Sequence, residues 1–213
     1  MPWGPIQPQS FYARSVLDVA QELVGCLLVR QESDGSLLVG RLVEVEAYLG
    51  DGRDPSAHSH RGPTKRNRSM FGPPGRLYAY SIYGLHTCVN LVCEPAGTGS
   101  AILIRAAEPL VGIDRMRQNR GLDASRDPYL IAAGPGRLSQ AFGFSLEDDG
   151  RPMNRGILCI RKSKEPDPDL IVARGPRVGI SKAVDLPYRF YAQDDPWVSR
   201  VRPSKKVRAR KRK

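Results

Sequence analysis

This chain of 213 residues is short of the features that mark several large protein classes. No apolar run approaches the roughly 18 residues of a membrane span, and the N-terminus has no charged stretch followed by a hydrophobic segment of the secretory kind. Cys26, Cys88, Cys93 and Cys159 form no Cys-x-x-Cys pair, and histidine occurs only at 58, 60 and 86. The ligand spacing of a zinc site is therefore missing. No segment repeats another, and Gly134-Pro135-Gly136 lacks the third glycine and the preceding β-α-β unit of a dinucleotide fingerprint. These absences lead to the expectation of a soluble, intracellular protein without zinc or a membrane span, long enough to bury a core as a single domain.

Acidic residues are also missing from one end. The formal net charge is +11, but nine Lys or Arg and no Asp or Glu fall within residues 200–213, which leaves +2 for the rest. The segment reads as a disordered basic arm that adds sequence-independent affinity for a polyanion, nucleic acid above all. A nuclear address or a solubilising tail is the alternative reading. The short N-terminus favours a bacterial cytoplasm, near the nucleoid, over a nucleus.

The most informative feature present is the run Glu44-Val45-Glu46-Ala47-Tyr48, followed ten residues later by His58. A period of two sends Val43, Val45 and Ala47 into a core and Glu44, Glu46 and Tyr48 to the opposite face. Taken alone, that face is equally an ordinary solvated sheet surface. Carboxylates at i, i+2 lie about 6.6 Å apart along a strand, within the range of glycosidase pairs. Neighbours on one strand point in parallel, however, and do not flank a bond from two sides. One carboxylate is therefore assigned to catalysis and the other to structure.

Around this strand the pattern is α+β and led by strands. A helix opens at Ser15 and stops at Gly25, with Val16, Val19, Ala20, Leu23 and Val24 at helical spacing. Residues 26–30 and 37–48 read as an antiparallel pair joined at Asp34-Gly35. Residues 50–76 carry neither period and form a long loop, which in a compact domain is functional or disordered. Strands over 76–82 and 86–92 meet at Tyr83-Gly84-Leu85, leaving an aromatic at a hairpin tip. A strand over 101–107 carries Arg105, which when enclosed wants a carboxylate or phosphate. Glu108-Pro109 is expected to begin a helix with Leu110, Ile113 and Met116 inward, and Asp127-Pro128 another. Gly134-Pro135-Gly136 reads as a break in the latter or as a turn offering N–H groups to phosphate. Strands over 173–180 and 188–192 close the chain.

Taken together, VEVEAYLG, Ala57-His58-Ser59, TKRNRSMFGPPG, LYAYSIYGLHTCVN, ILIRAAEP, RVGIS and PYRFY resemble, in order and spacing, the mammalian-type 3-methyladenine (alkyladenine) DNA glycosylases. The resemblance runs from about residue 11 to 199, leaving 1–10 as an N-terminal extension and 200–213 as the basic tail. It implies a single mixed domain around a curved, partly open-barrel antiparallel sheet with surrounding helices and a protruding hairpin that enters DNA. It also implies a monomeric, monofunctional N-glycosyl hydrolase with no cofactor. Such an enzyme flips an alkylated or deaminated purine (3-methyladenine, 7-methylguanine, hypoxanthine or ethenoadenine) from the duplex, releases it and so begins base excision repair.

The resemblance carries roles to individual residues. Glu46 matches the carboxylate that activates water, and Arg105 and the backbone carbonyl of Val178 match the groups that hold that water. Tyr48, His58 and Tyr80 match the aromatic walls of the base pocket, where rings facing a cationic purine gain about 0.5–2 kcal/mol. Asn90 matches the residue that excludes the 2-amino group of guanine. Tyr83 matches the wedge that fills the gap left by the flipped nucleotide. Lys65, Arg66 and Arg68 are either phosphate contacts or a solvated basic loop, whereas His60 and His86 receive no role. Two places depart from the family pattern: Leu85, where methionine is common, and Gly52-Arg53-Asp54-Pro55 before His58. The competing readings are a noncatalytic binder of damaged or bent DNA and an RNA-binding module.

Overall fold

A computed structural model describes residues 3–82, 84 and 86–200. The strands are β1 (Trp3–Ile6), β2 (Leu27–Gln31), β3 (Leu37–Tyr48), β4 (Leu77–Ile82), β5 (His86–Cys93), β6 (Ser100–Val111), β7 (Asn154–Arg155), β8 (Leu158–Ser163), β9 (Val172–Gly175) and β10 (Arg189–Ala192). The α-helices are α1 (Gln9–Tyr12), α2 (Val16–Leu23), α3 (Ile113–Arg120) and α4 (Pro135–Ala141). The architecture is α+β, with one large antiparallel sheet in the order β1-β8-β2-β3-β6-β5-β4. Among the described residues its end strands do not pair with each other, so the sheet is not closed. Part of the N-terminal extension joins it, since β1 pairs with β8.

β3 organises the site. Its first half pairs with β2, its second half pairs with β10, and β6 lies along its other edge. Glu46 thus stands opposite Arg189 on one side and Leu103 on the other. Val43, Val45 and Ala47 sit in the main core with Leu23, Ile102, Ile104 and Phe190, as their alternation predicts. The opposite face is not solvated: Glu44 and Glu46 are both 0% exposed. The segments after β9 and after β10 cover them, through backbone N–H groups of Val178 and Ser199 that donate to Glu46 and Glu44 respectively.

Several boundaries differ from the sequence expectation. Glu108-Pro109 does not start a helix, because β6 continues to Val111 with Glu108 opposite Arg41 and Pro109 opposite Gly40. β5 accompanies β6 only from Ser100 to Leu103, so Pro109 lies where that side of the strand is an edge and a missing N–H is tolerated. Gly112, at φ +75°, then turns the chain into α3, and a Cβ there would come within 2.4 Å of the Leu37 carbonyl oxygen. Met116 points inward, but Leu110 and Ile113 are 41% and 39% exposed. Asp127-Pro128 opens only a single 3₁₀ turn, Pro128–Leu130. Gly134-Pro135-Gly136 begins a helix and does not break one: Pro135 occupies the first turn of α4, where its absent N–H has no partner to lose. The strand expected over 173–180 ends at Gly175, and 176–188 runs irregularly across the Glu46 face. Tyr83, Leu85 and residues 201–213 lie outside the described residues, and with them the hairpin tip and almost all of the basic arm.

Candidate active site

A cleft of about 770 Å³ opens beside the second half of β3. Tyr48, His58, Tyr80, Asn90, Arg105 and Val178 all border it, although they come from six separate elements of the chain. Glu46 does not reach the surface of the cleft. It lies directly beneath, with the Tyr48 hydroxyl donating to Oε2 at 2.9 Å, Arg105 Nη1 donating to Oε2 at 3.2 Å and the Val178 N–H donating to Oε1 at 2.6 Å. An ionised carboxylate has about four lone-pair sites, so roughly one remains for a further donor such as water.

Glu44 occupies the next position on the same face but has a different environment. Its Oε1 accepts from Arg105 Nε at 3.1 Å and Arg189 Nε at 2.6 Å, and its Oε2 accepts from the Ser199 N–H at 2.9 Å. Burial pushes the pKa of Glu44 up, but Arg105, Arg189 and the Ser199 N–H outweigh it and hold the carboxyl below its ordinary value. For Glu46 burial prevails: Arg105, the Val178 N–H and the Tyr48 hydroxyl oppose it, Glu44 reinforces it, and the pKa ends above the ordinary value. Two carboxylates on one strand are thus pushed in opposite directions.

The aromatic side of the cleft is built by β4 and the loop before it. Tyr78 and Tyr80, two residues apart on β4, stack with centroids 5.3 Å apart. His58 meets Tyr80 edge-on at 4.6 Å, and its Nδ1 lies 2.9 Å from the Tyr78 hydroxyl. Burial by the cleft walls and the neighbouring Arg66 lower the pKa of His58, favouring the neutral ring. Asn67 fixes the loop that carries His58, donating to the carbonyls of His58 at 2.8 Å and Gly62 at 3.1 Å while accepting from the Thr64 N–H at 2.6 Å. Asn90 sits opposite Tyr78 across the β4–β5 ladder and donates to its carbonyl at 3.2 Å. Cys88 also borders the cleft, but burial pushes its thiol up to about 11, so it is protonated at neutral pH.

Three residues outside the sequence expectation support this site. Asp54, in the stretch that departs from the family pattern, forms a fully buried ion pair with Arg177, with Arg177 Nη2 donating to Oδ1 at 3.0 Å. Arg177 lies 4.5 Å over the Tyr48 ring, on a path that also takes it to the Ala47 carbonyl at 2.9 Å. It therefore packs against the Tyr48 ring. Tyr78 is the third, and its signal was present in sequence as the alternation Tyr78-Ala79-Tyr80. Of the three loop cations, only Arg66 borders the cleft, donating to the Ser81 carbonyl at 3.1 Å with its guanidinium 5.6 Å over Tyr80. Among the described residues no group of three or more His, Cys, Asp or Glu is placed to hold a metal ion.

Residues 10–196 match the sequence profile of the methylpurine-DNA glycosylases. The chain belongs to the methylpurine-DNA glycosylase family. It is accordingly a DNA glycosylase, a hydrolase of N-glycosidic bonds that serves base excision repair. Similar proteins include a "Putative 3-methyladenine DNA glycosylase" of Methanoculleus marisnigri, 50% identical over 196 residues that cover 91% of this chain and 98% of that one. Proteins of the same name from Rhodopseudomonas palustris and Nitrosospira multiformis are 46% and 45% identical, over 94% and 91% of this chain and 91% and 94% of theirs. A DNA glycosylase needs a cleft that accepts one base and a group that brings water to its sugar, and the aromatic walls and the carboxylate beneath Tyr48 are the features of this structure to be weighed against that need.

Proposed function

We propose that the cleft receives an alkylated or deaminated purine flipped from duplex DNA, and that Glu46 activates the water that displaces it. The observation carrying this reading is the convergence of Arg105 and Val178, which border a cleft walled by Tyr48, His58 and Tyr80, on the Glu46 carboxylate beneath it. Glu46 takes a proton from water as the oxygen attacks C1′ of the sugar. The N-glycosidic bond breaks with its electron pair moving to the base, so a cationic 3-methyladenine or 7-methylguanine leaves neutral. A base with a raised pKa removes that proton more readily at neutral pH, and its negative charge with that of Glu44 favours the positive sugar of the transition state. Electron-rich rings against a cationic purine contribute about 0.5–2 kcal/mol of preference for alkylated bases. Asn90, anchored on the Tyr78 carbonyl, faces the cleft where it would meet the 2-amino group of guanine.

No lysine borders the cleft among the described residues, which supports simple hydrolysis over a covalent Schiff base. Hypoxanthine and ethenoadenine belong to the same proposal as neutral substrates that fit the same walls. A second, smaller cleft of about 310 Å³ adjoins the first through His58, Arg66 and Tyr78. Arg61, Arg66 and Lys182 border it and no carboxylate does, so it suits the phosphodiester flanking a flipped nucleotide. Lys65 and Arg68 are exposed and border neither cleft, which fits contacts to phosphates farther along the duplex. Tyr83 as the wedge, the arm of residues 200–213 as a nonspecific phosphate binder, and a monomeric state complete the reading. Since the relatives are mostly bacterial and archaeal, a cytoplasm open to the nucleoid is its proposed place of work.

Single-turnover excision on duplexes carrying 7-methylguanine, hypoxanthine or ethenoadenine tests this, with Glu46→Gln as the variant. The expected result is release of at least one base by the native protein and a loss of about 10²–10⁴-fold in the variant, with lesion binding retained. Release by Glu46→Gln within tenfold of native would overturn the role of Glu46. Binding without release on all three duplexes would instead indicate a noncatalytic lesion binder.

A further inference from the structure

Glu44 does not border the cleft, yet it carries more buried ionic contacts than Glu46. Its carboxylate joins two arginines from different strands, Arg105 of β6 and Arg189 of β10, and the backbone of Ser199. Arg105 is the shared element: its Nε faces Glu44 and its Nη1 faces Glu46, so one planar guanidinium spans the two carboxylates. A planar fork held at Nε cannot rotate without losing that bond, and the orientation of Nη1 against Glu46 is therefore set from the Glu44 side. The charges close as well. Glu44 and Glu46 balance Arg105 and Arg189, and all four are buried.

The remaining groups around this quartet carry no uncompensated charge. Tyr48 on β3 and Tyr80 on β4 are neutral phenols raised by burial, and Cys88 on β5 is a neutral thiol. Arg177, against the Tyr48 ring, is matched by Asp54. Arg189 has the Tyr191 ring 4.5 Å away as its only other described side-chain neighbour of this kind. Any change of charge at Glu44 or Arg189 therefore falls on Glu46 with little to absorb it.

We propose that Glu44 is a positioning residue for base excision: it orients the Arg105 guanidinium toward Glu46 and supplies the negative charge that keeps two buried cations from suppressing the basicity of Glu46. This rests on the reading of Glu46 as the base. A merely structural Glu44 would affect folding or all rates alike, but it would not move the ionisation of Glu46 in a direction set by net charge. The quartet requires three distinct movements. Glu44→Gln leaves an excess positive charge, lowers the pKa of Glu46 and shifts the acidic limb of the pH–rate profile to lower pH. Arg189→Met leaves an excess negative charge and shifts the limb to higher pH. The double variant restores neutrality and returns the limb toward its native position.

The experiment is single-turnover release of 7-methylguanine, with enzyme saturating, across the acidic range. That base is already cationic, so its departure needs no proton and the acidic limb reports Glu46 in the complex. Glu44→Gln is expected to move the limb down by about one pH unit and to slow the plateau at least tenfold; Arg189→Met is expected to move it up by a similar amount. An unmoved limb in both single variants, or movement of both in the same direction, overturns the proposal. If Glu44→Gln fails to fold, Arg189→Met and the charge-balanced double variant decide the question. Release by Glu46→Gln within tenfold of native would show that the reading of Glu46 has failed. Loss in Glu46→Gln beside unmoved limbs elsewhere would show that only the role of Glu44 has.

Discussion

The two sides of the cleft are built on opposite principles. Beneath it, on β3, β6 and β10, every charge is buried and paired: Glu44, Glu46, Arg105 and Arg189 share one network, and Asp54 with Arg177 forms another against Tyr48. On the loop before β4, Arg61, Lys65, Arg66 and Arg68 lie exposed, Arg66 at the edge of the cleft, and pair with no carboxylate among the described residues. Buried ion pairs are costly in desolvation and weak as a source of stability, so a cluster of them beneath a cleft is better explained by geometry held for chemistry. Unpaired surface cations are inexpensive in water and keep their charge available for a polyanion. Under the proposed function, the sheet positions the reacting groups and the loop keeps its charges available for DNA.

Breaking the buried side should have the largest effect. Asp54→Asn leaves the Arg177 guanidinium charged without its carboxylate, and removal of one partner from a buried pair costs about 3–5 kcal/mol. Denaturant unfolding at neutral pH should show that loss. The difference should also depend on pH with a defined sign. Burial pushes Asp54 up, but the Arg177 pair and the backbone N–H bonds prevail and its folded pKa is depressed. Its contribution is therefore complete above the unfolded value of about 3.9 and disappears as pH falls through the lower folded value. Equal stability of the native protein and Asp54→Asn at neutral pH would show that the pair does not brace Tyr48.

An intermediate effect is expected where the two sides meet. Tyr48 belongs to both: its ring walls the cleft and its hydroxyl donates to Glu46. Tyr48→Phe keeps the wall and removes one hydrogen bond to the anion, a bond of about 1.5–3 kcal/mol. The pKa of Glu46 should rise, because its ionised form loses a donor. The acidic limb for 7-methylguanine release should then move to higher pH, opposite to its movement in Glu44→Gln, with a rate loss of about tenfold near neutrality. A rate loss with an unmoved limb would place the hydroxyl's role in shape and not in the ionisation of Glu46.

The same division explains how far the sequence could be read. β3 was legible to its ends because a two-residue period and the Asp34-Gly35 turn are both local signals, and α2 because its apolar spacing ends at Gly25. The burial of Glu44 was not legible. Its partners come from positions 105, 189 and 199, and no local pattern announces that three distant segments will converge on one carboxylate. Asp54 and Arg177 are 123 residues apart for the same reason. Glu108-Pro109 misled because an acid before proline is also how helices begin, and only the pairing with β3 decides for a strand. Tyr48, His58, Tyr80, Asn90, Arg105 and Val178 could be brought together in advance only through the family resemblance, since their shared cleft is a property of the register between strands.

The smallest effect should come from the rim, and it should be visible in salt dependence before it is visible in rate. Arg66 borders both clefts, with its guanidinium over Tyr80 and no carboxylate partner among the described residues. If it neutralises one phosphate, Arg66→Ala should weaken binding to lesion duplex and reduce the slope of log affinity against log salt by about 1. Arg66→Lys retains the charge and should retain the slope, though it loses the planar contact with Tyr80. Titration of native, Ala and Lys forms over a range of salt concentrations separates the two contributions. A slope unchanged in Arg66→Ala would mean that Arg66 belongs to the aromatic wall of the cleft, and that the phosphate charge is met by Arg61 or Lys182 instead.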